Sequence, residues 1–562
     1  MAGHRAGRVA HAVVSFAVAV ALLAGCDGSS GTSQSLPESS PSPRKSGSSA
    51  VAPKSTSPGD EATTDSTPGT ASSPPRAATS WGPTAAEWSA ARKAAARLSD
   101  RELAGQVIVA RYTGTAPPED LVSRYHLGGV IVMGENVESV RQITRSNAAL
   151  QQAAGSGRRW PLVVAVDQEG GIVARVGAPM TAFPSFMSQG AAAERRLARD
   201  VAAASGQELR AAGFTMVFAP VADVTVGSTD PTIGSRSAGG RPGLVADMVA
   251  AASTGYASSG IVSVLKHFPG HGSLTADSHE TLPVQPLGLS RLRQRDFVPF
   301  QAAVEARAPA VMLGHISLTR VDPGVPADLS RPVVDLMSSE LGFEGLAVTD
   351  SLHMAGVTNS YGARQAPVAA LRAGVDMLLM PADTGMAHRA ILDALHQGSL
   401  PRVRLRNAAA KVIALMMHQD RAAPTPRRAI GSHGPLSRRL SVAAATVVQG
   451  PCTGPYVGRA VSPNGDPRVV RAFTKAARRA GLQVGSGDTV ALLGYGASAR
   501  DADVVVSLDT PYVLADATAD AKIALFGSGR PAMEALVDIL TGRADPGGRL
   551  PVAVPGVKAP RC

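Results

Sequence analysis

Aromatic side chains are scarce: Phe, Trp and Tyr make up 4% of the 562 residues. A surface built from many aromatic sugar-stacking platforms is therefore not expected. Cysteine is scarcer, with 3 in the chain, at Cys26, Cys452 and Cys562. Acidic residues fall short of basic ones, 44 against 55, for a net charge of +11. That excess suggests an anionic partner. The arginines are scattered, however, with one local cluster between Arg421 and Arg439 and no basic face interleaved with aromatics. Nucleic acid is not an expected partner on that pattern.

What is present is ample core material, 44% hydrophobic and 18% charged, in a chain too long for one ordinary domain. Two folded units plus tails are expected. The N-terminus opens with His4, Arg5 and Arg8, followed by an apolar run, 12–24, too short to span a bilayer comfortably. Leu23-Ala24-Gly25-Cys26 then resembles a bacterial lipobox. That resemblance implies a signal peptide over 1–26, lipidation of Cys26, export, and attachment to the outer face of a membrane. Residues 27–80 are rich in Ser, Thr, Pro and Gly and read as a disordered tether. Cys452 and Cys562 either pair in a disulfide or remain two independent thiols.

From 81 onward, short apolar runs alternate with amphipathic segments. The runs are 107–109, 130–133, 162–166, 215–218, 261–265, 310–313, 346–348 and 377–380. Stretches such as 200–212, 242–258 and 366–373 between them have helical patterning. Eight β-like runs with helical crossovers fit an α/β fold, a (β/α)8 barrel over 81–419, with a doubly wound open sheet as the competitor. Asp167, Asp223, Lys266 with His267, His315 and Asp350 all sit at or just beyond the C-terminal ends of these runs, the edge where such sheets bind ligands. A connector is expected over 420–440, then a smaller α/β domain over 441–562 with runs at 445–448, 490–493, 504–506 and 523–526.

Polar chemistry concentrates in Lys266-His267-Phe268-Pro269-Gly270-His271-Gly272, followed by Asp277-Ser278-His279. His267 and His271 have the spacing of two metal ligands on one helix face, but Pro269-Gly270 breaks any helix there, so neither metal nor cofactor is expected. Asp277 and His279, two apart, meet on one side of an extended segment, where the carboxylate would orient the imidazole for proton transfer. The alternative is a polar loop facing water. Asp350 ends an apolar strand and is a candidate nucleophile or cation stabiliser, or else a helix cap.

Together these stretches resemble glycoside hydrolase family 3, in its β-N-acetylglucosaminidase branch. Asp167-Gln168-Glu169-Gly170-Gly171 with Arg175, Phe218-Ala219-Pro220-Val221-Ala222-Asp223, Ile233-Gly234-Ser235-Arg236-Ser237 and Val348-Thr349-Asp350-Ser351 occur in that family's order. So does Leu540-Thr541-Gly542-Arg543-Ala544-Asp545-Pro546-Gly547-Gly548-Arg549-Leu550-Pro551 near the C-terminus. The resemblance implies a retaining glycosidase that releases terminal β-linked N-acetylglucosamine from cell-wall saccharides. It implies Asp350 as nucleophile, His279 as acid/base oriented by Asp277, and Asp167, Arg175, Arg236, Lys266 and His267 as sugar ligands. His271 would shape the loop, and Gly270 and Gly272 would let residues 269–283 close over the sugar. Many relatives carry two aspartates where this chain has Asp350-Ser351, and the second domain is short. A phosphorylase or β-glucosidase of the same family, and a non-catalytic wall-binding lipoprotein, are the competing readings.

Overall fold

The computed structural model describes residues 79–155 and 157–558. The expected leader with Cys26, nearly all of the tether, and Cys562 lie outside the described residues. Cys452 lies within them and is disulfide-bonded.

Eight strands follow in chain order: β1 (Ile108–Ala110), β2 (Gly129–Val132), β3 (Val163–Val166), β4 (Met216–Val217), β5 (Val262–Phe268), β6 (Ala310–Leu313), β7 (Leu346–Thr349) and β8 (Leu378–Leu379). Each pairs in parallel with the next from β1 to β7, and β8 pairs in parallel with β1. A single parallel bridge, Val348–Met377, joins β7 to the entry of β8 and closes the ring. The barrel expectation holds, and the open doubly wound sheet is excluded. Strands covered on both faces must be apolar throughout rather than alternating, and β3, Val-Val-Ala-Val, is buried at all four positions.

Inside the ring Val109, Ile131, Val163, Met216, Phe218, Val264, Met312 and Val348 belong to one apolar cluster. Trp81, Ala91 and Ala95 join it from the N-terminal segment, and Ala410, Ile413 and Ala414 from the last barrel helix. Helix Ala85–Arg97, started by a Thr84/Glu87 capping box, packs on helix Arg402–Asp420. These two helices plug the end where the strands begin, which leaves the opposite end for a site.

The second unit is a sheet of β9 (Thr446–Gln449), β10 (Ala460–Gly465), β11 (Gln483–Val484), β12 (Asp488–Leu493), β13 (Val504–Ser507) and β14 (Ala521–Ala524). Its order is β9-β14-β13-β12-β10-β11, with only the β9–β14 pair antiparallel. β10 and the edge strand β11 have no counterpart among the apolar runs. β10 reads Ala-Val-Ser-Pro-Asn-Gly; β11 covers only Ala460 and Val461, so the three turn formers Pro463, Asn464 and Gly465 lie where one side of the strand is an open edge.

The stretch expected as a plain connector differs from that expectation. Helix Gly434–Ala444 begins inside it, with Pro435 in the first turn, where proline starts a helix rather than ending one. This helix packs on Phe186–Ala192 of the barrel and on Arg530–Leu540 of the second unit. Ahead of it, buried Glu208 accepts hydrogen bonds from Thr181 N (2.8 Å), Thr181 Oγ1 (2.6 Å) and Gly431 N (3.0 Å), and its Oε1 is 2.8 Å from His433 Nδ1. One carboxylate thus fastens the connector to the barrel.

Candidate active site

All eight barrel strands run the same way, so residues at their C-terminal ends share one rim. On it, β5 contributes Lys266 and His267, and the turns after β3, β4, β6 and β7 contribute Asp167 and Glu169, Asp223, His315, and Asp350.

The innermost feature is a buried charge cluster. Lys266 Nζ lies 2.7 Å from Asp167 Oδ1 and 2.6 Å from Glu169 Oε1, while Arg236 donates to Glu169 from Nε (2.9 Å) and Nη2 (3.0 Å). The Glu169 and Lys266 side chains are each 3% exposed. Burial alone would raise the Glu169 carboxyl, but Arg236 and Lys266 outweigh it and hold it at about 2. Lys266 is raised against its own burial by Asp167 and Glu169, so it stays cationic. The cluster holds an ionised Glu169 between two cations, an arrangement suited to sugar hydroxyl and amide oxygens.

A second layer orients His267. Fully buried Asp223 has Oδ2 2.7 Å from His267 Nδ1, and its Oδ1 accepts from the backbone N–H of His267 (3.3 Å) and of His271 (2.6 Å). Burial acts to raise the Asp223 carboxyl, but His267 and His271 bring it below its ordinary value.

Asp350 completes the centre. It keeps some surface open to the mouth. Burial favours its neutral form, yet the fields of His267 and His315, the Ser351 N–H (2.7 Å) and Lys266 bring the carboxyl down to about 2. His315 is itself fully buried, with Nδ1 3.1 Å from Asp328 Oδ1 and Nε2 donating to the Ser351 carbonyl at 2.8 Å. Burial lowers it, but Asp328 outweighs burial and raises it to about 9, so His315 is a cation facing Asp350 at neutral pH. Asp350 is therefore an ionised carboxylate, the state a nucleophile requires.

Asp277 and His279 stand apart from this centre. His279 Nδ1 is 2.7 Å from Asp277 Oδ1, and the His279 N–H donates to the same oxygen at 2.9 Å. The His279 side chain is 61% exposed and that of Asp277 is 30% exposed, so the pair is open to solvent. Burial acts to raise Asp277, but the backbone N–H and ring of His279 lower it. Between them, buried Ser278 turns inward: its Oγ is 3.0 Å from His271 Nε2, and its carbonyl accepts from Gly356 N at 3.2 Å, just after β7.

The root of this loop differs from the sequence expectation. Gly270 and Gly272 are sites of close approach rather than free hinges. A Cβ on Gly270 would stand 2.6 Å from Asp296 Cβ, and one on Gly272 2.5 Å from the Val224 carbonyl. Arg295 adds a clamp, bonding Asp296 Oδ1 (2.7 Å) and the Val224 carbonyl (2.9 Å).

The structure thus joins Asp167 to Glu169 through Lys266, joins Lys266 to Arg236 through Glu169, and links His267 to Asp350 electrostatically. Arg175 follows directly on the hairpin after β3, with its Nε buried and unpartnered among the described residues. Among the described residues no group of His, Cys, Asp or Glu forms a metal cluster. Sequence reasoning passed over Glu169, although it lies inside a quoted motif, and gave no role to Asp223. The pairing of His315 with Asp328 carries no local signal.

Residues 101–415 match the glycosyl hydrolase family 3 N terminal domain. Beta-hexosaminidase A of Pseudoalteromonas piscicida is 33% identical over 371 residues, 60% of this chain; the match spans 62% of that relative's length. Beta-hexosaminidase LpqI of Mycobacterium tuberculosis is 33% identical over 317 residues, 54% of this chain and 80% of its own. A solved glycoside hydrolase family 3 beta-N-acetylglucosaminidase from Paenibacillus superposes with a TM-score of 0.73 at 26% identity, covering 81% of this chain and 99% of its own.

Proposed function

Because the chain belongs to glycosyl hydrolase family 3, we propose that it is a retaining glycosidase releasing terminal β-linked N-acetylglucosamine from peptidoglycan-derived saccharides. The names of its relatives support the hexosaminidase activity. The observation that carries the reaction is the division of labour on the rim: an ionised Asp350 set among cations, and an Asp277–His279 pair on the neighbouring loop.

On this reading Asp350 attacks the anomeric carbon. His279, oriented by Asp277, gives a proton to the leaving oxygen, then takes one from the water that hydrolyses the glycosyl-enzyme. Asp167, Arg175, Arg236, Lys266 and His267 hold the sugar and its N-acetyl group. On this reading the 273–283 segment swings in once sugar is bound, bringing the exposed His279 to the leaving oxygen while the clamped root stays fixed. The lipobox-like quartet at Cys26 supports export and attachment to the outer face of the membrane, with the tether reaching into the wall.

The test is product analysis with aryl N-acetyl-β-glucosaminide and aryl β-glucoside, each with and without phosphate. Free N-acetylglucosamine of retained configuration is expected, at a rate unaffected by phosphate. A glycosyl phosphate as main product favours the phosphorylase, because a histidine acid/base does not repel an incoming phosphate as a carboxylate would. Faster glucoside cleavage favours the β-glucosidase.

A further inference from the structure

The excess positive charge looks scattered along the chain, but folding gathers part of it. Helix Pro467–Arg479 of the second unit buries Phe473, Ala476 and Ala477 against the sheet. After Pro467 in the first turn, its exposed positions are Arg468, Arg471, Lys475, Arg478 and Arg479. At 3.6 residues per turn all five project within an arc of about 100°. No acidic residue interrupts the helix; Asp466 is its cap and accepts from Arg468 N and Val469 N. None of Arg468, Arg471, Lys475 and Arg478 has an ion-pair partner among the described residues.

The stripe runs into a cleft of about 430 Å³ lined by Arg479, Arg438, Arg530 and Arg543. Two acids serve these four arginines. Glu534 lies 3.4 Å from Arg479 and 3.7 Å from Arg530, Asp538 pairs with Arg438, and Arg543 donates to the Ala480 carbonyl at 2.6 Å. Helix face and cleft together carry eight cations, seven of them arginine, with guanidinium forks left unsatisfied. Arginine forks match phosphate oxygens two at a time.

We propose that this face of the second unit is a docking surface for a linear phosphate polymer lacking aromatic bases. Charge complementarity sets the class, and the concave, arginine-lined cleft beside a straight stripe fits an extended chain. No large apolar side chain is exposed on the helix, so nothing is offered for insertion into a lipid surface. Its only aromatic, Phe473, is buried, so no stacking platform for bases is offered either. The surface is independent of the reaction at the barrel rim; it would hold the enzyme on a polyanionic matrix while the barrel works.

The experiment is fluorescence anisotropy of labelled long-chain inorganic polyphosphate with the full chain across a salt series. It is run beside a single-stranded oligonucleotide and vesicles rich in phosphatidylglycerol. Polyphosphate is expected to bind most tightly, with affinity falling steeply as salt rises. The triple variant R471Q/K475Q/R478Q should bind at least tenfold more weakly and lower the salt slope by about 2, from about 0.7 per cation lost. Its far-UV circular dichroism and melting temperature should be unchanged, which is the check on folding. Should the triple variant not fold, the three single variants are each expected to lower the slope by about 0.7. No polyphosphate binding at low salt, or an unchanged slope in the variants, overturns the proposal. Tighter binding to vesicles or oligonucleotide overturns it in favour of a membrane or nucleic-acid face. None of these readouts depends on glycosidase activity, so the proposed reaction and this surface fail separately.

Discussion

The charges at the rim are mutually dependent. Asp350 is ionised because His267, His315 and Lys266 surround it, and Lys266 is cationic because Asp167 and Glu169 do. Replacing Asp350 by Asn removes the proposed nucleophile; kcat on aryl N-acetylglucosaminide should fall by at least about 10³-fold, roughly 4 kcal/mol of barrel-rim catalysis. Steady-state kinetics on a variant of unchanged circular dichroism checks this, and unchanged activity would falsify the assignment. Glu169→Gln has a different signature. It leaves Arg236 without its carboxylate and Lys266 with only Asp167, so folding should lose about 3–5 kcal/mol, read as a lower melting temperature. At this scale the sequence was partly legible. A strand-end Asp, Lys or His declares itself by position, whereas Asp328 meets His315 only after the turn beyond β6 folds back, and the exposure of His279 depends on how its loop lies.

Among elements, the loop after β5 is the one the fold controls most closely. Its root rests on Asp296, which is fully buried beside Gly270 with Oδ2 unpartnered among the described residues. Burial pushes this carboxyl from its ordinary 3.8 up to about 6, against the pull of Arg295. An acid whose folded value is raised binds its proton more tightly when folded. The contribution of Asp296 to stability is therefore greatest below pH 3.8, declines as pH rises toward 6, and is a constant penalty above. That penalty is about 3 kcal/mol by proton linkage, and loss of the Arg295 pair offsets part of it in a neutral variant. Asp296→Asn should raise the melting temperature at pH 7.5 and leave it nearly unchanged at pH 4; scanning calorimetry at the two values decides. The eight barrel strands were legible because double burial writes each as a continuous apolar run. β10 was not, because an exposed edge tolerates Pro463, Asn464 and Gly465, which in sequence spell a turn.

For the molecule as a whole, the seam between barrel and second unit reaches the rim beside Arg236. Ser235, next to Arg236, donates to Asp509 in the turn after β13; Gly240 N donates to the Pro551 carbonyl at 3.1 Å, and Ser185 N to the Phe526 carbonyl at 2.9 Å. Gly239 lies in this seam, where a Cβ would stand 2.6 Å from the Pro551 carbonyl oxygen. Gly239→Ala should therefore push the units apart. Limited proteolysis within 421–430 should speed up, and KM should rise more than kcat falls, because Arg236 loses its backing before Asp350 is disturbed. Unaltered cleavage and KM would show the seam to be irrelevant to the site. The two-unit layout was legible from composition and from the second set of apolar runs. The seam was not, since Ser235 and Asp509 are ordinary polar residues until folding makes them neighbours.

The exposed position of His279 has a consequence in time rather than in space. On the proposed reading Asp167, Lys266 and Arg236 hold the sugar before the proton donor arrives, so holding a sugar and cutting it are successive events. A ligand that leaves before the loop swings in departs whole. The wait then becomes a filter on how long a saccharide stays, and discrimination between close sugars accrues in dwell time as well as in affinity.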